Sequence, residues 1–108
     1  DYIHVVDLAK AHVASIRHME EKQQTNYDVF NIGTGKGSSV FEVIRAFEQS
    51  TGVKLDYKVG PRRPGDVEQV WGNVTKGEQE LGWKAELGLD EMRRPAWDWE
   101  NYIKKNPF

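Results

Sequence analysis

With 108 residues, 38% of them hydrophobic and with four each of Trp, Tyr and Phe, the chain has the size of one ordinary domain and a globular rather than disordered composition. A formal net charge of −2 gives no general attraction to nucleic acid, and the absence of Cys removes disulfides, thiolate metal sites and a cysteine nucleophile together. No apolar run approaches the roughly 20 residues needed to span a bilayer and the N-terminus has no signal-peptide pattern, so no membrane partner and a soluble, cytoplasmic protein are expected.

In chain order, residues 2–5 alternate like a short strand, and Leu8, Ala9, Val13, Ile16 and Met19 then recur at helical spacing as far as Lys22. Gln23-Gln24-Thr25-Asn26 reads as a loop. Residues 27–32 supply a second strand, ending at Gly33, Gly35 and Gly37. Ser39 with Glu42 has the capping-box pattern and opens a helix with Val40, Val43, Ile44 and Phe47 on its apolar face and Gly52 at its end. Residues 54–59 alternate as a half-buried strand, and residues 67–71 form a short extended run. Thr75 with Glu78 predicts a brief capped helix ending near Gly82, with Trp83 anchoring the segment after it. Leu89, Met92, Ala96, Trp99 and Ile103 predict a last helix that Pro95 should kink or interrupt. One compact unit is the expectation. Because the sequence opens in mid-strand, without an initiator Met, the chain reads as a fragment of a longer protein.

Most motifs with chemical promise fail on inspection. Gly33-Thr34-Gly35-Lys36-Gly37 lies between a strand and a helix, where backbone amides can cradle phosphate. A Walker loop needs Ser or Thr after its Gly-Lys and an earlier glycine, but Gly37 and Phe30 hold those places. The dinucleotide pattern needs a third glycine where Ser38 stands, so a tight turn is the favoured reading. His4, His12 and His18 lack the i, i+4 spacing of a helical metal pair, and no metal is expected. His12 is expected to be partly buried and His18 solvent-facing. Trp97 and Trp99 are expected in the core rather than stacked on a sugar or base.

Residues 61–66, Pro61-Arg62-Arg63-Pro64-Gly65-Asp66, differ in kind. The Pro-Gly bend sets Arg63 and Asp66 on either side of a turn. A guanidinium binds phosphate bidentately and a carboxylate accepts bonds from paired hydroxyls, so the turn offers complementary groups for a sugar phosphate. The same pattern also fits a surface ion pair worth under about 1 kcal/mol, and the residues alone do not separate the two.

Four landmarks in order carry a family resemblance: Asp1-Tyr2-Ile3-His4-Val5 with Asp7-Leu8-Ala9; Phe30-Asn31-Ile32-Gly33-Thr34-Gly35 with Ser39-Val40; Arg62-Arg63-Pro64-Gly65-Asp66; and Glu80-Leu81-Gly82-Trp83 with Leu89-Asp90-Glu91-Met92. Together they resemble the C-terminal part of NAD-dependent UDP-glucose (UDP-galactose) 4-epimerases, of the extended short-chain dehydrogenase/reductase family. The resemblance implies an α/β, Rossmann-type fold of mixed short strands and helices, in which residues 1–108 are one substrate-binding portion and a separate N-terminal domain holds NAD. It implies that Arg63 contacts the substrate diphosphate, that Asp66 contacts the ribose of UDP, and that Val70 bounds the sugar pocket. A residue as small as Val70 there implies tolerance of N-acetylated sugars. Family chemistry oxidises C4 of the sugar with NAD, turns the 4-keto intermediate, and returns hydride to the other face, in a full-length protein for which a homodimer is the expected assembly. No Tyr here has Lys four residues on, since Val6, Asn31, Pro61 and Asn106 hold those places, so no catalytic residue is expected in this chain. Sugar-nucleotide dehydratases, decarboxylases and reductases of the same family stay open as alternatives, as does a non-catalytic nucleotide-binding module.

Overall fold

The computed structural model describes residues 1–22 and 27–108; the loop expected at residues 23–26 lies outside them. Four helices follow in chain order, α1 (Val5–Glu21), α2 (Val40–Thr51), α3 (Thr75–Leu81) and α4 (Leu89–Lys105). The two packed pairs are α2 against α4 and α1 against α3.

Local chemistry explains where each helix starts. At α1 the cap is His4, whose Nδ1 accepts the Val6 N–H at 3.0 Å. The α2 capping box forms as its spacing predicts, with Ser39 Oγ accepting from Glu42 N at 3.1 Å and Glu42 Oε2 accepting from Ser39 N at 2.6 Å. Gly52 closes α2 in the left-handed conformation. The box expected at α3 does not form, because Thr75 is already the first helical residue; Asn73 Oδ1 instead accepts the Thr75 N–H at 3.2 Å. Helix α4 runs through Pro95 without a break, so of the expected kink or interruption the interruption does not occur. Proline there deletes a single ladder bond. The first turn is separately reinforced, with Glu91 Oε2 accepting the Gly88 N–H and Arg93 Nε donating to the Leu89 carbonyl.

Which faces turn inward differs from the periodicity reading. On α1 the buried residues are Asp7 and Ala11, followed by half-buried Ala14, Ser15 and His18, while Val13, Ile16 and Met19 are exposed. The greasy stripe therefore faces solvent. On α4 it is Trp97 that turns in, meeting Phe47 of α2 edge-on at 5.5 Å; Trp99 is 54% exposed and stacks on Tyr102. The expectation that both tryptophans are core is corrected for Trp99. Trp83, expected as an anchor, is buried, with Val74 and Ala11 the other buried apolar residues among the described ones.

Of the expected mixture of strands and helices only the helices are present: among the described residues there is no strand. Alternation supplies a face but no ladder partner, and the backbone bonds outside the helices are helix ends and one turn. The expected compact unit is equally absent. The radius of gyration is 17.5 Å, against the ~13 Å of a compact chain of this length. Many large apolar side chains, among them Val13, Ile16, Met19, Tyr57 and Trp99, lie on outward faces.

Candidate functional site

The loop that carries the predicted residues bends at Gly65, whose φ of 85° gives the left-handed turn that Pro64-Gly65 calls for. Asp66 N donates to Arg63 O at 3.3 Å across the bend. Arg63 Nε and Asp66 Oδ2 then pair at 3.0 Å, with side chains 83% and 44% exposed. Arg62 reaches Glu68 Oε1 at 3.2 Å and the Asp66 carbonyl at 2.9 Å. A pair this exposed is held by under about 1 kcal/mol, so ligand oxygens can replace the carboxylate at small cost.

Val70 lies apart from that pair, on the wall of an open cavity of ≈ 920 Å³ also lined by Asp1, Tyr2, Lys36, Ser39 and Trp71. Arg63 and Asp66 do not line it; the segment just after the loop does, through Glu68, the partner of Arg62. The three predicted residues thus occupy one stretch of chain, with only Val70 on the cavity.

Sequence reasoning missed the residue that organises this region. The Asp1 carboxylate accepts four bonds: Oδ1 from Thr34 N at 3.0 Å and Thr34 Oγ1 at 2.8 Å, Oδ2 from Gly35 N at 3.1 Å and Gly72 N at 3.3 Å. Its main-chain nitrogen donates to the Val70 carbonyl at 3.1 Å. The glycine-rich turn is therefore a cradle for a carboxylate of the chain itself. Gly35 takes φ 73° to aim its amide, and a Cβ on Gly33 would stand 2.6 Å from Asp1 Oδ2. With these amides engaged, the turn does not fit a dinucleotide phosphate, and no step of NAD chemistry is assigned to it.

A second overlooked anchor is Asp7, fully buried, whose Oδ2 accepts from Glu86 N at 3.1 Å and Leu87 N at 2.8 Å while Oδ1 has no partner among the described residues. It ties α1 to the entry of α4. The histidines also depart from expectation. His12 is exposed, bonded through Nδ1 to the Leu8 carbonyl at 2.8 Å, whereas His18 is half-buried and edge-on to Phe30 at 5.6 Å.

The fold brings His18 together with Asp28 and Glu80, ligand atoms within 4.8 Å of one another, from three separate segments that a helical spacing rule does not cover. Lys76 already supplies a cation there: it pairs with Asp28, donates to the Val29 carbonyl at 2.9 Å and lies over the Phe30 ring at 4.7 Å. The Lys76 hydrogen bond is the main cause that holds the Asp28 carboxyl below its ordinary range, and the same bond raises the Lys76 ammonium above its own.

Comparison with known proteins gives this geometry its relatives. Over all 108 residues the chain is 47% identical to UDP-glucose 4-epimerase 2 of Oryza sativa subsp. japonica and 46% identical to the bifunctional UDP-glucose 4-epimerase and UDP-xylose 4-epimerase 1 of Pisum sativum, spanning 26% and 30% of their lengths. Its fold superposes with a TM-score of 0.92 on the UDP-glucose-4-epimerase of Stenotrophomonas maltophila, solved with NAD and formylated UDP-arabinopyranose, at 39% identity over 98% of this chain and 31% of that one. The Bifidobacterium longum UDP-glucose 4-epimerase, in complex with NAD+ and UDP, matches with a TM-score of 0.80 and 47% identity over 99% of this chain and 30% of that one. The chain thus spans between a quarter and a third of the proteins it resembles, and has the fold of the corresponding part of UDP-glucose 4-epimerases. Residues 1–95 match the family described as GDP-mannose 4,6 dehydratase, and the chain belongs to that family.

Proposed function

We propose that this chain is the C-terminal, substrate-contacting part of a UDP-glucose/UDP-galactose 4-epimerase, an isomerase that interconverts UDP-hexoses through an NAD-bound 4-keto intermediate. The observation that carries the reading is the match, over 98% of the chain at a TM-score of 0.92, to an epimerase solved with NAD and a UDP-sugar. The family takes its description from a dehydratase, but the curated relatives at 44–48% identity over the whole chain are UDP-glucose 4-epimerases.

In this reading Arg63 leaves Asp66 to engage the diphosphate, Asp66 turns to the ribose hydroxyls, and Val70 bounds the sugar in the ≈ 920 Å³ cavity. Both partners of the exposed ion pair gain a ligand group for the one they release, so opening the pair opposes binding only weakly. The small side chain of Val70 leaves room for N-acetylated hexoses. NAD and the catalytic base belong to an N-terminal domain, consistent with the absence of a Tyr-x-x-x-Lys motif and with amides at Thr34 and Gly35 already engaged by Asp1. That domain would cover the outward Val13, Ile16 and Met19 stripe and supply ladder partners to residues 27–32, which restores the mixed strands of the family fold. A cytoplasmic homodimer acting in galactose metabolism accompanies the same reading.

The test is an epimerase assay on the full-length protein with UDP-glucose and UDP-galactose. Arg63→Ala should weaken UDP-sugar binding roughly ten- to a hundredfold, the equivalent of about 1.5–3 kcal/mol for a lost charge-assisted contact. Unchanged affinity removes Arg63 from the site. Turnover of UDP-N-acetylhexosamines comparable to that of UDP-hexoses supports the role of Val70, and strict rejection of them overturns it.

A further inference from the structure

We infer that Asp1 is a positioning residue for the sugar end of the site: its carboxylate locks the Gly33-Thr34-Gly35 turn to the segment that carries Val70. The inference rests on the UDP-hexose reading above and deepens it. Val70 is 66% exposed, so packing does not hold it where it bounds the cavity. Asp1 grips the chain on both sides of it instead. Its main-chain nitrogen takes the Val70 carbonyl and Oδ2 takes the Gly72 N–H, so that Val70 and Trp71 are strung between two atoms of one residue.

The other end of the grip is equally specific. Oδ1 accepts both donors of Thr34, and Oδ2 shares the Gly35 and Gly72 amides, which are 37 positions apart in sequence. A single carboxylate therefore couples the turn leading into α2 with the cavity wall. Trp71 closes the joint from the other side, lying so near Gly37 that a Cβ there would be 3.1 Å from Trp71 Cε3. Among the described residues, the hydrogen bonds that fix residues 70–72 all end on Asp1. All four donors to its carboxylate are N–H or O–H groups, so an acceptor with two oxygens is required, and an amide would turn a donor toward one of them. Gly33 is part of the same device, because a Cβ there would stand 2.6 Å from Oδ2 and force it to shift.

Steady-state kinetics on the full-length protein separates positioning from general structural support. Asp1→Asn should raise KM for UDP-hexose about tenfold, leave kcat within about threefold, and leave inhibition by UDP alone within about twofold, since only the sugar-facing wall is loosened. Gly33→Ala should reproduce that split by displacing the same oxygen, and the double variant should be no worse than the more impaired single one. Thr34→Val, which deletes the 2.8 Å hydroxyl bond to Asp1 together with the hydroxyl's local bonds to the Lys36 backbone, should show the split at about two- to threefold and carries the test if Asp1→Asn does not fold.

A purely structural Asp1 would instead lower the amount of active enzyme, with UDP and UDP-hexose affected alike. That pattern, an unchanged KM, or full additivity of Asp1→Asn with Gly33→Ala overturns the inference. Failure of the unmutated protein to bind UDP-hexose overturns the functional reading itself. The control with unmutated protein therefore tells the two failures apart.

Discussion

The loop at residues 61–66 and the joints at Asp1 and Asp7 are both built from carboxylates, yet they are held in opposite ways. In the loop, Arg63 and Asp66 pair across a solvent-exposed bend and touch little else. At the joints, carboxylates far away in sequence gather backbone amides, Asp1 from residues 34, 35 and 72 and Asp7 from residues 86 and 87. Exposed opposite charges are cheap to separate, whereas amides deprived of a carboxylate lose bonds that water does not fully replace. The contrast makes the joints permanent and leaves the loop pair cheap to open, as the proposed exchange with ligand requires.

The strongest way to break this contrast is at Asp7. Asp7→Ala orphans the Glu86 and Leu87 amides beside a fully buried site and should destabilise the protein by about 2–3 kcal/mol, read from its denaturant midpoint. Asp7→Asn should cost less than about 1 kcal/mol, because an amide oxygen still accepts from both N–H groups and the buried charge with its unpartnered Oδ1 is gone. Equal losses for the two variants would show that the charge, rather than the acceptor, holds α1 to the start of α4.

The same contrast explains how much of the molecule is legible in its sequence. Helices are legible because their signals are local: Ser39 and Glu42 three apart, Gly52 and Gly82 at the ends, and a 3.6-residue apolar period. Period gives the angle between side chains but not which side meets the rest of the chain, so it misplaces the inward face of α1 in favour of Val13, Ile16 and Met19. The expectation that both Trp97 and Trp99 are core fails at Trp99 for the same reason. Strands require a partner that no alternation encodes, and none forms among residues 2–5, 27–32, 54–59 and 67–71. Of the site, the Arg63 to Asp66 turn is visible because its parts are four consecutive residues with strong bend chemistry. Asp1 is not, since its bonds span 33 to 71 positions and nothing near Asp1 in sequence announces them.

Between the two extremes stands the α2 capping box, local like the loop but anchored on backbone like the joints. Ser39→Ala removes the acceptor for Glu42 N and should cost about 1 kcal/mol by thermal denaturation. Its acidic half makes the cap pH-dependent. The Ser39 N–H, then the Ser39 hydroxyl, hold the Glu42 carboxyl below the ordinary 4.5. A carboxyl depressed on folding stabilises fully above its unfolded pKa and loses that contribution as pH falls through the folded one. The melting temperature of the native protein should therefore fall more steeply below about pH 5 than that of Glu42→Gln, which keeps an acceptor but does not titrate there. Parallel pH profiles would remove Glu42 from the acid dependence.

The smallest expected effect tests the loop directly. In a double-mutant cycle of Arg63→Ala and Asp66→Ala, the coupling in stability without ligand should stay below about 1 kcal/mol, as for other exposed pairs. With the side chains 83% and 44% exposed, each charge is already solvated, and removing one leaves no buried partner behind. The ligand-bound cycle behaves differently if the two groups have parted to different portions of the substrate: each single substitution then weakens UDP-sugar affinity independently. Asp66→Ala should also weaken a UDP-sugar more than a ribose-free diphosphate sugar, as a carboxylate on ribose hydroxyls requires. A stability coupling well above about 1 kcal/mol would mean that the pair is a fixed strut. Arg63 would then be unable to leave Asp66 for a diphosphate at small cost, and the loop would join Asp1 and Asp7 on the permanent side of the comparison.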